Sequence, residues 1–388
     1  MEVRFAIINF FERWMKSIDL VSITLIVLLM ILGLLFVTTA SPNVAKLKSL
    51  NEFYFIKKHY LFAFFSIMAL IIFSFFSARG LINISYLGLA LSIISIVTLL
   101  LISKENNGSI RWLNFIGFSF QPSEFLKPFI IIIFSFLLNL KERIKLLGYS
   151  IGGKILAFLL LLITSLLILA QPNFSMFVIL FLVFIFQYLT VETNFRFLFF
   201  MGTISILIAF LAYIKLSHVQ YRIDNFLNSN STHFQIEKSL EAYQAGGILG
   251  KGPGQGTVKN NIPDSHTDFI FPVVAEEYGA LVCILLVFIL LAIFFRGVQK
   301  ISNSQNQFKV TSCIGLLILF IIQAFINIAV SMKLIPTTGV TFPFLSYGGS
   351  SIISMGIVMG MVLSLTKKKF KEKDRKSTRL NSSHRCIS

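Results

Sequence analysis

Residues 262–279 read IPDSHTDFIFPVVAEEYG, and they place three carboxylates in an apolar run that continues to Phe295. Polar and turn-forming residues lead to Asp268, after which the chain is apolar except at residues 276–279. This pattern is typical of a loop that leads into a membrane-spanning helix. An ionised carboxylate in hydrocarbon costs about 2.5 kcal/mol or more, so acidic residues kept there usually face a cavity or a partner. Asp268, Glu276 and Glu277 are therefore candidates for chemistry or for internal ion pairs.

The spacing of these carboxylates predicts two different orientations. If the helix includes Asp268, positions 268 and 276 lie about 80° apart around the helix axis and about 12 Å apart along it. Position 277 points nearly opposite to position 268. We therefore expect Asp268 and Glu276 to line one cavity, and Glu277 to face elsewhere.

The composition of the chain is that of a polytopic membrane protein. Of its 388 residues, 56% are hydrophobic, 43 are Phe and only 13% are charged, which is too apolar for a soluble globular protein. Ten runs are long enough to span about 30 Å of hydrocarbon, and they predict an all-α fold with about ten transmembrane helices and one large extracytoplasmic loop. The runs lie near 18–40, 59–77, 81–103, 123–140, 155–172, 174–192, 196–216, 268–295, 309–332 and 350–366.

The basic residues predict the orientation of these helices. Most of them fall in segments on the same side as the N-terminus, which the positive-inside bias places in the cytoplasm. The net charge of +17 is then a topology signal and an attraction to anionic membrane lipid, and no nucleic-acid partner is expected. Residues 1–369 form the membrane domain in this interpretation, and residues 370–388 form a basic cytoplasmic tail. Residues 377–388 lack apolar periodicity and are interpreted as a sequence-assembly artefact.

Another group of polar residues precedes the fourth predicted helix. Residues 107–127 read NGSIRWLNFIGFSFQPSEFLK, with Arg111 and Trp112 outside the membrane and Ser123 as the predicted N-cap. Glu124 and Lys127 are three positions apart on one helix face, close enough to pair in the outer part of the membrane. Two interpretations stay open. The pair is a simple intrahelical ion pair, or its cation joins Arg111 in an anion site for a lipid-linked phosphate.

The longest segment outside the membrane covers residues 217–267 and is predicted to be extracytoplasmic, because it follows seven helices. A loop of this length is usually functional or disordered. Its QIEKSLEAY piece has helical character, and its glycine tract, residues 246–256, is either flexible or close-packed. The glycine spacing matches no Walker motif, so nucleotide binding is not favoured. Residues 334–351 are rich in Pro and Gly and are predicted to line a cavity, since irregular backbone at membrane depth must be buried in protein.

Several separated motifs, in the right order, resemble the SEDS (shape, elongation, division and sporulation) family from residue 20 to about residue 369. They are RW and QPSEFLK within 111–127, YRIDNFLN at 221–228, GGILGKGPGQG at 246–256, HTDFIFPVVAEEYG at 266–279 and PTTGVTFPFLSYGGSS at 336–351. The resemblance is closer to the division branch than to the elongation branch. The family often has QPDxGT where this chain has QPNFSM, so no catalytic role is expected for Asn173.

The resemblance implies a ten-helix peptidoglycan glycosyltransferase of the bacterial cytoplasmic membrane, acting at the division septum. It implies polymerisation of lipid II, with undecaprenyl pyrophosphate as leaving group, in complex with a class B penicillin-binding transpeptidase and other divisome proteins. Carried onto this chain, the essential family aspartate corresponds to Asp268, and the family's charged pair corresponds to Glu124 with Lys127. The same motifs supply further expected substrate-binding residues, namely Arg111, Trp112, His266 and Ser346.

The residue types fit this chemistry independently of the resemblance. A positioned carboxylate can serve as the base for an attacking sugar hydroxyl, and Arg111 or Lys127 can stabilise a departing pyrophosphate. Arg111 is expected in a more solvated loop, where its field is screened, so Lys127→Ala is predicted to impair polymerisation more than Arg111→Ala. A divalent cation is left open as a cofactor for that second task, and no metal ligands are assigned. Asp268 also has a structural alternative, as the N-terminal cap or dipole partner of its helix.

A lipid II flippase is the alternative function, since intramembrane charges and a broken helix after Pro336 also suit transport. A transporter is expected to carry its functional charges near the midplane, whereas Asp268, Glu124 and the 217–267 segment are predicted at the outer face. That distribution favours an outward-facing enzyme. A scaffold that only recruits the transpeptidase is a third alternative, and it predicts that these charged residues are dispensable.

Overall fold

The computed structural model describes residues 12–102, 111–115, 118–146, 149–227 and 234–368. It contains two short antiparallel hairpins. One is formed by β1 (Leu113–Phe115) and β2 (Phe118–Phe120), the other by β3 (Ile144–Leu146) and β4 (Tyr149–Ile151). Residues 12–17 are helical. The bounded helices that follow them are α1 (Leu20–Leu47), α2 (Tyr54–Phe75), α3 (Ala78–Ile102), α4 (Pro122–Leu138), α5 (Gly153–Ala170), α6 (Phe174–Val191), α7 (Phe195–Lys215), α8 (Ser217–Leu227), α9 (Phe234–Gly246), α10 (Ile270–Ser302), α11 (Gln307–Ser331) and α12 (Gly349–Leu365).

Each of the ten predicted apolar runs is a helix, namely α1 to α7 and α10 to α12, which confirms the all-α membrane fold. Within the described ranges, eight of these helices are long and apolar enough to cross a membrane. The other two, α4 and α12, have 17 residues each, or about 25 Å of helix. The two hairpins were not predicted, because strands of three residues are too short for hydrophobic periodicity to reveal.

Small residues allow α12 to pack directly on α2. A Cβ atom at Gly356 would lie 2.4 Å from the carbonyl oxygen of Ser66, and one at Gly360 would lie 2.6 Å from that of Leu70. The Ser66 hydroxyl also donates a hydrogen bond to the carbonyl oxygen of Ile352 at 2.6 Å. Membrane helices associate through this kind of close packing and interhelical hydrogen bonding. Almost all residues of α12 are buried as a result.

The helix α10 is interrupted at Gly279, and the glycine tract packs against the interruption. Gly279 has φ 81° and ψ 176°, a conformation that glycine adopts without steric cost. The N–H of Ala280 donates to the carbonyl oxygen of Gly247 at 3.0 Å, and the N–H of Lys251 donates to that of Glu276 at 2.9 Å. Of the two predictions for the glycine tract, the close-packed one is therefore confirmed.

The carboxylates of α10 hold this arrangement through their side chains. Glu276, which is fully buried, accepts hydrogen bonds from the backbone N–H groups of residues 257, 258 and 259 at 2.7 to 2.8 Å. It also accepts one from Lys251 Nζ at 3.2 Å. Glu277 pairs with Lys259, which is only 4% exposed. Of the two roles predicted for these glutamates, internal ion pairing is the one that the structure bears out.

The predicted sharing of one cavity by Asp268 and Glu276 is wrong. The helix α10 begins at Ile270, with Phe269 as its N-cap. Asp268 therefore precedes the helix, and helical angles do not relate it to Glu276. The backbone N–H groups of residues 257–259 surround the Glu276 carboxylate instead.

The described part of the 217–267 segment is folded. The predicted helical piece QIEKSLEAY lies in α9, which is confirmed, and YRIDNFL lies in α8, which was not predicted to be helical. A 3₁₀ turn follows at Val258–Asn261. The segment has its own hydrophobic cluster, which anchors α9 and the 3₁₀ turn to the end of α11 and is formed by Ala242, Val258, Ile262, Phe269 and Val330.

Candidate functional site

A cavity of about 1120 Å³ lies where the predicted outer ends of the helices meet. Its wall combines the first turn of α4 and the residues before it, the start of α6, one residue of α8, residues 264–268 and the irregular segment before α12. The structure brings six of the seven predicted site residues together in this wall, namely Asp268, Glu124, Lys127, Arg111, Trp112 and His266. They come from two stretches that are far apart in the sequence, residues 111–127 and 266–268.

Asp268 is held in the wall by its backbone. The side-chain amide of Asn327, on α11, donates to the carbonyl oxygen of Asp268 at 2.8 Å and to that of Val340 at 2.7 Å. Gly339 lies beside the carboxylate, and a Cβ atom there would be 3.6 Å from Asp268 Oδ2. No side chain in the described chain caps α10 by a hydrogen bond, and its N-cap residue is Phe269. Asp268 is therefore not a hydrogen-bonding cap of α10, so the cap part of its structural alternative is wrong, while the dipole part stays a prediction.

The surroundings of Asp268 raise the pKa of its carboxyl group to about 6. Burial is the largest cause, and the neighbouring negative charge of Asp264 adds to it. Arg222 and Arg111 act in the opposite direction, because positive charges favour the ionised form. A carboxylate of this pKa is mostly ionised at neutral pH and accepts a proton more readily than an ordinary aspartate does.

Arg111 is part of the wall rather than of a solvated loop. Its Nε donates to the carbonyl oxygen of Gln171 at 3.3 Å, and its terminal nitrogen donates to that of Pro172. These bonds tie Arg111 to the short turn between α5 and α6. Burial and repulsion by Arg222 lower the Arg111 pKa to about 10. The expectation that Arg111 would be more solvated is therefore wrong, since two backbone oxygens hold its half-buried side chain.

Lys127 and Glu124 form the predicted ion pair, with 2.7 Å between Lys127 Nζ and Glu124 Oε2. Lys127 is 1% exposed and Glu124 is 14% exposed. Lys127 also donates to Gln323 Oε1 on α11 at 2.8 Å. Gln323 donates in turn to the Thr341 carbonyl oxygen at 3.1 Å and to Ser351 Oγ at 3.3 Å. The pair thus joins α4, α11 and α12 while Lys127 still borders the cavity, so both interpretations of it remain open.

Aromatic rings surround His266 at the other side of the cavity. The ring centroids of Phe55 and Tyr347 lie 4.5 Å and 5.3 Å from that of His266. Burial, together with repulsion by Lys48, lowers the His266 pKa to about 3, so the imidazole is neutral at physiological pH. Trp112, by contrast, is 49% exposed. These rings form part of the cavity wall.

Ser346 is the predicted site residue that the structure does not bring to the cavity. Its hydroxyl oxygen accepts a hydrogen bond from the N–H of Phe342 at 2.8 Å, and its own N–H donates to the Phe342 carbonyl oxygen at 3.1 Å. The side chain is buried within its own turn. Its contribution to the site is the shape of the segment that carries Tyr347.

Arg222 is the cavity residue that sequence reasoning missed. It belongs to α8, and it borders the cavity beside Arg111 and Asp268. The motif YRIDNFLN contained it, but α8 is a polar surface helix, where an arginine is ordinarily solvated. Only its electrostatic coupling to Asp268 distinguishes it, and that coupling arises from tertiary contact.

The cavity can hold a phosphate-bearing ligand near a base. Among the described residues, no group of three or more His, Cys, Asp or Glu side chains could hold a metal ion. The carboxylates of the wall are Asp264, Asp268 and Glu124, and Lys127 already engages the last of these. A divalent ion here would need oxygen ligands from phosphate, as Mg²⁺ commonly has.

The family model described as cell cycle protein, covering FtsW, RodA and SpoVE, matches residues 19–371. A protein of Caulobacter vibrioides named probable peptidoglycan glycosyltransferase FtsW is 34% identical over 361 residues, or 92% of this chain and 90% of that protein. Stage V sporulation protein E of Bacillus subtilis is 30% identical, over 90% of this chain and 97% of that protein.

Solved structures share the fold at lower identity. One, described as "Structural coordination of polymerization and crosslinking by a peptidoglycan synthase complex", superposes with a TM-score of 0.71 at 20% identity, covering 90% of this chain and 97% of the other. The rod shape determining protein RodA of Thermus thermophilus superposes with a TM-score of 0.65 at 19% identity, covering 90% of this chain and 96% of the other. At these identities the likeness shows the fold.

Proposed function

The chain belongs to the FtsW, RodA and SpoVE family of cell cycle proteins, and we propose that its outer cavity polymerises lipid II into glycan strands. It is a multi-pass protein of the bacterial inner membrane and a peptidoglycan glycosyltransferase of the division type, as its relatives named FtsW are. The proposal adds the substrate, the residues that act on it and the septal location.

Asp268 is the general base of the proposed reaction. A sugar hydroxyl of one substrate molecule attacks the anomeric carbon of another. The proton of that hydroxyl passes to the Asp268 carboxylate. The glycosyl–phosphate bond breaks, and undecaprenyl pyrophosphate leaves with the bonding electron pair. The observation that carries this assignment is the carboxylate whose pKa burial raises to about 6, beside two arginines in one cavity. A base of this pKa is suited to proton transfer near neutral pH.

Arg111 and Arg222 stabilise the departing pyrophosphate. Both arginines interact electrostatically with Asp268, and Arg222 also repels Arg111. Two cations held close together, with Arg111 fixed by backbone carbonyl oxygens, form a preorganised site for the charge that develops on the leaving group. Lys127 lies deeper in the same cavity, already paired with Glu124. We assign to that pair the recognition of the substrate's first phosphate or sugar.

The proposed partner is a class B penicillin-binding transpeptidase, together with other divisome proteins. One structure of the same fold is described as part of a peptidoglycan synthase complex that coordinates polymerization and crosslinking. A glycan polymerase and a transpeptidase act on successive bonds of one product, which is the chemical reason for the association. The flippase alternative is not favoured, because the relatives are named for glycosyl transfer.

The test is reconstitution of the purified full chain with lipid II, with and without the transpeptidase, and analysis of the glycan by gel. Asp268→Asn keeps the size of the side chain but cannot accept the proton, and loss of a general base lowers the rate by a factor of about 10² to 10⁴. The matched control is Glu237→Gln, an exposed carboxylate of α9 outside the cavity. Polymer formed by Asp268→Asn at the parental rate, with both proteins folded, would refute the assignment.

A further inference from the structure

A second cavity, of about 1360 Å³, lies at the opposite end of the bundle from Asp268. The same helices connect the two. The first turn of α4 borders the outer cavity, while its last residue, Leu138, borders the second one, about 25 Å away along the helix. In the predicted topology this end faces the cytoplasm. The proposed glycosyl transfer uses nothing at this end.

Basic side chains converge on this second cavity from the segments next to α4, α5, α10, α11 and α12. Lys141 and Arg143 follow α4, Lys154 begins α5, and Lys300 lies near the end of α10. Lys309 lies in the first turn of α11, and two more lysines follow α12 at positions 367 and 368. The one acidic residue among the described lining residues is Glu142. Seven cations and one carboxylate thus line a single cavity.

Only some of these cations are neutralised. Lys154 pairs with Glu192, and Lys300 lies 3.5 Å from Asp19. By contrast, no carboxylate of the described chain lies within ion-pairing distance of four of the other cations, Lys141, Arg143, Lys367 and Lys368, which we call the basic cluster. Burial and repulsion by Lys309 lower the pKa of Lys367. The described part of the chain therefore concentrates positive charge in the basic cluster without pairing it with carboxylates.

Two backbone features add to the positive potential. The helices α5 and α11 both begin at this cavity, so their N-terminal ends point towards it. The N-cap of α5 is Gly152, which has no side chain to satisfy the first N–H groups of the helix. Helix N-termini with free N–H groups bind phosphate. They reinforce the basic cluster and are not needed to define the site.

The wall of this cavity is apolar where it meets the bundle, through Leu138, Ile155, Ile301 and Leu365. A ligand that fits such a wall has an anionic head and an apolar body. The cavity also exceeds the size of one phosphate, which suits a head with two phosphates. We propose that this cavity binds the phosphate-bearing head of an anionic membrane lipid, and that the basic cluster holds its phosphates.

The experiment is native mass spectrometry of the detergent-purified full chain titrated with cardiolipin, a lipid with two phosphates, and separately with phosphatidylcholine. The test variant is Lys141→Gln/Lys367→Gln. The matched control is Arg79→Gln/Arg196→Gln, which removes the same charge from exposed residues at the same end of the bundle but outside the cavity. Size-exclusion profiles and thermal unfolding establish that all the proteins are folded. Arg143→Gln/Lys368→Gln serves as the second test variant if the first does not fold.

We expect the parent to bind cardiolipin more tightly than phosphatidylcholine, and the apparent Kd for cardiolipin to rise at least fivefold in the test variant and less than twofold in the control. An equal rise of this Kd in the test variant and the control would overturn the proposal, because it would show that cardiolipin binding depends on general surface charge. A third arm adds inorganic pyrophosphate at millimolar concentration. If pyrophosphate displaces cardiolipin at a Kd as low as that of the lipid, a soluble phosphate compound is the ligand and the lipid assignment is wrong.

Discussion

The backbone N–H of Tyr347 donates a hydrogen bond to the carbonyl oxygen of His266 at 2.8 Å, and the rings of the two residues lie 5.3 Å apart. His266 is two residues before Asp268, so this bond joins the segment that carries the proposed base to the segment that precedes α12. Asn327 makes a second connection, through the carbonyl oxygens of Asp268 and Val340. The cavity therefore keeps its shape because two irregular segments are bonded to each other and to α11.

The activity of the parent should depend on a group with a pKa near 6. In the proposed mechanism Asp268 acts as a base only when it is ionised, and burial raises its pKa to about 6. We therefore expect kcat/KM for polymerisation to be constant above about pH 7 and to fall about tenfold per pH unit below pH 6. The measurement is the initial rate of lipid II polymerisation between pH 5 and 8. A profile that stays flat across this range, while the protein remains folded, contradicts the role of Asp268.

Arg222→Gln should change both the rate and this pH profile. Removing a cation from the leaving-group site should lower kcat/KM by a factor of about 10 to 10², as for the loss of a charge-stabilising donor. Because Arg222 lowers the pKa of Asp268, its removal should also move the midpoint of the profile to higher pH. The control is Lys215→Gln, an exposed cation at the end of α7. An unchanged midpoint would show that Arg222 does not act on Asp268.

The pair of Lys127 and Glu124 can be tested for its two interpretations. Lys127→Ala leaves Glu124 without its cation and should destabilise the protein by about 3 kcal/mol or more, since one partner of a buried pair is removed. The double variant Glu124→Gln/Lys127→Met removes both charges and should recover the parental thermal stability. We expect the double variant to remain inactive in polymerisation. Recovery of both stability and activity would make the pair purely structural.

The structure changes the expected ranking of Lys127→Ala and Arg111→Ala. The sequence placed Arg111 in a screened loop and predicted the larger loss for Lys127→Ala. Arg111 is half-buried and holds the turn before α6 through two carbonyl oxygens. We therefore expect Arg111→Ala to lower kcat/KM at least as strongly as Lys127→Ala does. The comparison uses gel assays at matched protein folding and expression. A much smaller effect of Arg111→Ala would restore the original ranking.

Glu276→Gln should lower the stability of the protein, and polymerisation activity should fall only as a consequence. The Glu276 carboxylate accepts three backbone hydrogen bonds and pairs with Lys251, and an amide can replace only part of these interactions. We expect a lower Tm and faster proteolysis between residues 247 and 261, with activity lost in proportion. Glu237→Gln should change neither quantity. Loss of polymerisation by Glu276→Gln at parental Tm would instead place Glu276 in the chemistry.

The position of α9 tests the orientation of the whole chain. Ser231, in the predicted extracytoplasmic segment, lies outside the described residues, so the exposed Glu237 is the position to label. In a Cys386→Ser background, Glu237→Cys should react with a membrane-impermeant maleimide in intact spheroplasts, and Asn303→Cys, at the opposite end of α10, should not. The reverse pattern would move the Asp268 cavity to the cytoplasm and overturn the proposed function.

The sequence by itself determined the helices and the segments that form the site. The ten apolar runs are helices because their length and composition leave few other solutions in a membrane. The charges that interrupt the apolar pattern, Asp268 and the pair Glu124 and Lys127, could be selected as site candidates because hydrocarbon makes unexplained charge costly.

Only the tertiary structure decided which groups surround each carboxylate. Helical spacing suggested that Asp268 and Glu276 share a cavity, but α10 begins after Asp268, and the backbone N–H groups of residues 257–259 surround Glu276. Arg222, likewise, is an ordinary surface arginine until α8 brings it to Asp268. Sequence periodicity reports how residues are arranged along one element, whereas the pKa of a carboxyl group depends on charges and burial contributed by other elements, which reach it only when the chain is folded.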